Sequence, residues 1–112
     1  MSTIYHITTA AAWAAARAAG AYSPDSLASE GFIHFSTREQ LLWVADRFYR
    51  GEPGLLLLAV DTERLTAELR YEESEPGMRF PHLYGPLNLD AVVAAYPFPP
   101  KPDGSFELPP GI

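Results

Sequence analysis

Apolar and polar positions along the chain fall into segments of two different periods. Residues 3–8, TIYHIT, are β-branched and aromatic and predict a strand. Residues 31–36, GFIHFS, predict a second strand, and 91–98, AVVAAYPF, a last one. In 55–60, LLLLAV, both faces are apolar, as expected of a buried central strand. LRYEE at 69–73 is a weaker strand signal. MRFPHLYG at 78–85 is extended, with Pro81 pointing to an edge or interrupted strand. Two stretches carry the helical signal. In 9–21, TAAAWAAARAAGA, alanine favours a helix, Thr8 or Thr9 can cap its start and Gly20 can end it. Trp13 and Ala16 are expected inward, Arg17 outward. In 37–50, TREQLLWVADRFYR, the spacing of Leu41, Val44, Ala45 and Phe48 predicts one buried stripe. Ser36 with Glu39, or Thr37 with Gln40, fits a capping box at its start. YSPDSLASE at 22–30 is a loop stiffened by Pro24, and GEPG, SEPG and PLNLD are turns. The fold class is therefore α+β: one domain over residues 1–98 and a proline-rich tail over 99–112, which Phe106 or Leu108 would pin.

Composition narrows the functional classes. The chain has 112 residues, a net charge of −6, no cysteine and a single lysine, Lys101. Disulfides and thiolate metal sites are excluded. Broad nucleic-acid binding and docking on anionic lipid both need dense cationic surfaces that this chain lacks. The longest apolar run, Leu55 to Val60, is far too short for a bilayer span. The start, MSTIYHITT, lacks a basic region followed by a long apolar stretch, so no signal peptide is expected and the default location is the cytoplasm.

The chemistry lies in three histidines. His6, His34 and His82 each sit in a strand-like apolar segment, IYHIT, FIHFS and FPHLY. Side chains alternate along a strand, so His6 shares a face with Ile4 and Thr8, His34 with Phe32 and Ser36, and His82 with Phe80 and Tyr84. A buried imidazole is costly unless hydrogen-bonded. Each histidine has a structural reading as a satisfied core residue. The recurrence of one setting three times points to a shared cleft, because functional sites collect buried titratable groups. A three-imidazole metal site is an alternative with weak support, since gaps of 28 and 48 residues match no ligand motif.

Those segments also carry a family resemblance. YHIT, SLASEGFIHFST, RFYRG and FPHLYGPLNLDAV, in this order over residues 4 to about 98, resemble the short bacterial proteins called domain of unknown function 952. That family looks like an outlying branch of the ADP-ribosyltransferase superfamily. The resemblance implies two small packed, mainly antiparallel sheets with two main helices, and an NAD-binding cleft between the sheets. Tyr5-His6-Ile7-Thr8 resembles the superfamily's first motif, Tyr-His-Gly-Thr, with Ile7 in place of glycine. Residues 31–37 occupy the place of the second motif. By chain order His82 stands where the third motif has a catalytic glutamate, which leaves three readings: a site for an already negative ligand, Glu72 or Glu73 supplying the missing carboxylate, or nucleotide binding without turnover.

On this resemblance the expected function is a cleft for NAD or an ADP-ribose-type nucleotide, with glycosyl or phosphoryl transfer (ADP-ribosyl or 2′-phospho). His6, His34 and His82 would be catalytic, and Tyr5, Thr8, Ser26, Ser36, Thr37 and Tyr84 would bind ligand. No cofactor is required; NAD would be a substrate. The rival is a non-catalytic ligand-binding or protein-interaction module on the same fold. Ser26 is equally a turn serine, and Ser36 and Thr37 are equally helix caps.

Overall fold

The computed structural model describes residues 2–112. Eight strands, three helices and two short 3₁₀ turns follow in the order β1 (Thr3–Thr9), α1 (Ala10–Ala19), β2 (Ala21–Tyr22), α2 (Asp25–Ser29), β3 (Ile33–His34), α3 (Arg38–Phe48), β4 (Leu55–Asp61), β5 (Glu68–Glu75), β6 (Met78–Tyr84), β7 (Leu87–Asn88) and β8 (Val92–Pro97), with the 3₁₀ turns at Thr62–Arg64 and Leu89–Ala91. The α+β class holds, with every strand pair antiparallel. The strands form two three-stranded sheets, β1-β4-β8 and β3-β6-β5, and a two-stranded ribbon, β2-β7.

β4 is the central strand of the first sheet, as its two apolar faces require. One face, with Leu58 and Val60, joins Ile4 of β1, Ala16 of α1, and Ile33, Phe35 and Leu83 from the region of the second sheet in one core. The other face, with Leu55, Leu57 and Ala59, packs with Leu41 and Ala45 of α3 and with Phe98 and Phe106. Phe106 and Phe98 stack at 4.8 Å, and the Phe106 N–H donates to Asp46 Oδ1 at 2.8 Å. The tail is thus tied to α3 without forming regular structure. Leu108 packs against the same core while partly exposed.

The helix ends follow their chemistry. Thr9 accepts the Ala12 N–H at 3.0 Å, and Gly20, at φ 88°, closes α1 in the left-handed conformation. Of the two capping boxes the chain uses the second: the Thr37 N–H donates to Gln40 Oε1 at 3.0 Å.

Four expectations are corrected. First, the 22–30 loop contains α2, and Tyr22 pairs with Leu87 in the ribbon. Second, GFIHFS is not one continuous strand. Only Ile33 and His34 pair with β6, and Ser36 crosses to the first sheet, exchanging two 2.8 Å backbone hydrogen bonds with Tyr5. Third, the Pro81 strand is central in its sheet, not an edge. Phe35 N–H donates to the Pro81 carbonyl, but proline has no N–H to return. The β3 ladder ends at that point, so the proline is tolerated where one neighbour leaves the sheet. Fourth, Phe48 is 60% exposed and does not complete the stripe on α3. Among the described residues no helix is long and apolar enough to cross a membrane.

Candidate functional site

Where β3 leaves one sheet for the other, a cleft of about 720 Å³ opens between β1, β3, α3 and the β5–β6 hairpin. This volume suits a small ligand. Of the residues singled out from sequence, Tyr5, His6, Thr8, Ser26, His34 and Ser36 line it, and Thr37, His82 and Tyr84 do not. Thr37 is occupied as the cap of α3.

His6 lies at the buried side of the cleft. β1 alternation aims it inward with Ile4 and Thr8, and it is 9% exposed. Its Nδ1 lies 2.6 Å from the His34 carbonyl oxygen and its Nε2 2.7 Å from the Tyr22 hydroxyl, which is also 3.0 Å from Thr8 Oγ1. A carbonyl only accepts, so Nδ1 carries the proton. Burial pushes the ring's pKa down to about 4, which keeps it neutral and leaves Nε2 as an acceptor. The Tyr22 proton therefore goes to His6, and the Thr8 hydroxyl turns to donate to Tyr22. Burial raises the Tyr22 phenol, which suits a donor that stays protonated. With both nitrogens engaged, His6 acts as a strut fixing β1 to the backbone of β3.

His34 differs: its side chain is half exposed, and Nε2 lies 3.0 Å from Glu30 Oε2. Gly31, at φ 89°, makes the turn between α2 and β3 that sets His34 near Glu30. Its ring lies against Phe32 and His82 on the outer face of the second sheet, and it is its carbonyl that meets His6 in the cleft.

His82 stands on the outer face of the second sheet. It is the cross-strand partner of His34 and of Arg70, and the His34 and His82 rings are 5.5 Å apart. Its Nδ1 donates to Glu72 Oε1 at 2.8 Å, and the Tyr84 hydroxyl donates to the same oxygen. Those bonds, Tyr84's before His82's, hold the Glu72 carboxyl below its ordinary range, and Glu72 in turn raises the Tyr84 phenol. Phe32 lies flat against the His82 ring at 4.0 Å. The single three-histidine cleft is thereby corrected: strand pairing puts the rings of His82 and His34 on the outer face, with Glu72 and Glu30 as their partners, and leaves His6 as the cleft imidazole. Neither Glu72 nor Glu73 lines the cleft; Glu75 does. Among the described residues no group of three histidine, cysteine or acidic side chains is arranged to hold a metal ion.

Sequence reasoning missed Trp43, Phe48, Phe80 and Glu75 in the lining. Helical spacing puts Phe48 in the core, and Glu75 stands in the SEPG segment read as a turn. Trp43 lies off the predicted stripe, which was the available signal. Arg47 covers Trp43 and Phe48 with its guanidinium 5.3 and 5.6 Å from their ring centres. The lining includes no lysine or arginine.

Comparison with known proteins places the chain. A model of the family described as "Protein of unknown function (DUF952)" matches residues 7–95. The crystal structure of protein CC0527 from Caulobacter crescentus is similar at 42% identity and a TM-score of 0.85, covering 95% of this chain and 94% of that one. The solution NMR structure of CC0527 is also similar, at 42% identity and a TM-score of 0.80, with 94% and 91% covered. No curated protein matches. With most of its length matched, the chain belongs to the DUF952 family of proteins of unknown function.

Proposed function

We propose that the cleft is a small-molecule site for a nucleotide of the NAD or ADP-ribose class, on an ADP-ribosyltransferase-like arrangement of two sheets. The observation that supports it is the meeting of Tyr5, His6, Thr8, His34 and Ser36 at the seam of the two sheets, beside the aromatic rings of Trp43, Phe48 and Phe80. Flat rings suit a base or nicotinamide, and the hydroxyls and imidazole suit a ribose. A cleft without lysine or arginine has no cation to bury a diphosphate against. The ligand would therefore enter ring first and leave its phosphates toward solvent.

Within this reading His6 is a positioning residue, held by the His34 carbonyl and the Tyr22 hydroxyl. Glycosyl or phosphoryl transfer would rest on Glu75, the cleft carboxylate able to stabilise positive charge developing on a ribose. Binding without turnover is the second reading, and the engagement of both His6 nitrogens favours it. Calorimetric titration with NAD, ADP-ribose and nicotinamide tests the proposal. Saturable binding of NAD or ADP-ribose is expected, weakened about tenfold in Ser36→Ala, the loss of one hydrogen bond of roughly 1.4 kcal/mol. Absence of binding by all three ligands would refute it. Release of nicotinamide from NAD would separate the enzyme from the binding module.

A further inference from the structure

The charge in the cleft has one sign. Glu75, at the end of β5, is the carboxylate of the lining, and the lining includes no lysine or arginine. Among the described residues Glu75 has no hydrogen-bond or ion-pair partner. Glu52 adds negative charge near Tyr49 of the lining, whose phenol is raised first by burial and then by Glu52. The whole chain carries a net −6. An anion entering this cleft is repelled and a cation attracted, over about 10 Å at 0.1 M salt.

The aromatic rings act in the same direction. Trp43, Phe48 and Phe80 line the cleft, with the Trp43 and Phe80 rings 6.2 Å apart. Aromatic faces attract cations, and Arg47 already lies against two of these rings, 5.3 Å from the centre of Trp43 and 5.6 Å from that of Phe48. Ser26, Ser36 and Tyr49 also line the cleft, and their hydroxyls have no partner among the described residues. The Thr8 and Tyr22 hydroxyls, by contrast, are committed to each other and to His6. Free hydroxyls match a sugar, because both sides can donate and accept without charge.

We propose that the cleft selects a cationic nucleoside, a positively charged heteroaromatic ring on an unphosphorylated ribose. This rests on the nucleotide reading above and narrows it: ring and sugar carry the recognition, and each added phosphate weakens it. The ring would lie against the aromatic faces, with Glu75 offsetting its charge, and the ribose would meet the two serines and Tyr49. A phosphate finds no lysine or arginine in the lining and meets the field of the carboxylate. Arg47 is the rival partner for a phosphate, and its guanidinium is engaged with Trp43 and Phe48.

The test is calorimetry of the intact protein at low salt with nicotinamide riboside, its monophosphate and NAD. Affinity should fall at each step, with the riboside about tenfold or more tighter than NAD. The N-methylated nicotinamide cation should bind about threefold or more tighter than neutral nicotinamide. Glu75→Gln should bring the riboside and NAD to within about twofold of each other, and its amide NMR spectrum checks that it folds. NAD binding as tightly as the riboside, neutral nicotinamide matching its methylated cation, or Arg47→Gln weakening NAD more than the riboside would each overturn the proposal and leave the nucleotide reading standing. No binding by any of these ligands would end both.

Discussion

His6 and His82 are both buried, and His34 stands between them: its carbonyl bonds one, and its strand pairs with the other. Their ring nitrogens fare differently. His6 has a partner at each nitrogen, and its hydrogen bonds tie β1 to β3 and to β2. His82 has one partner, and that partner, Glu72, lies at the protein surface. A fully matched imidazole contributes to holding the fold and stays neutral. A half-matched one leaves a buried nitrogen without a partner. The same residue type, at similar burial, is fully satisfied in one place and half satisfied in the other.

Acid sharpens that contrast most. The His6 ring has a pKa of about 4 in the fold, against about 6.5 when unfolded. The unfolded chain therefore binds the extra proton first. Stability is complete above pH 6.5 and falls as pH drops from there to about 4, by on the order of 3 kcal/mol at full effect. Urea unfolding across that window should show the loss, and His6→Gln should flatten it.

A smaller effect is expected from Tyr22→Phe, which removes the donor to His6 Nε2 and the partner of Thr8. It should destabilise by about 1–3 kcal/mol, measured by urea unfolding at neutral pH. His82→Leu should cost no more than about 1 kcal/mol in the same assay, because it also removes a nitrogen that has no partner. A larger loss there than for Tyr22→Phe would reverse the comparison. Smallest of all, Phe48→Ser should change stability by about 0.5 kcal/mol or less, since the ring is exposed, while weakening any ligand held in the cleft.

How much of this was legible follows from which forces act locally. TIYHIT and LLLLAV declare their strands through composition and two-sided burial, and Thr9 and Gly20 declare the ends of α1. Pro81 misled because the cost of proline in a sheet depends on the neighbouring strand, and the departure of β3 cannot be seen in the residues around it. Phe48 misled because helical spacing gives a face but not what covers it. The alternation in IYHIT groups His6 with Ile4 and Thr8 as the fold does, but in FIHFS Ser36 crosses to the first sheet, and in FPHLY Phe80 lines the cleft from which His82 is excluded. It cannot say which sheet face turns to the core, and that alone separates His82 from His6. The cleft lining from α3 and the β5–β6 hairpin depends on packing between distant segments, and the sequence holds no local mark of it.

The central claim is that His6 lies in a nucleotide cleft from which the rings of His34 and His82 are excluded. Ring-nitrogen NMR of all three histidines during a titration with NAD tests it most directly. The account predicts that the His6 signals shift most while the ring remains neutral, and that those of His34 and His82 move less at saturation. A His34 or His82 shift larger than that of His6, or no response from His6, would contradict it.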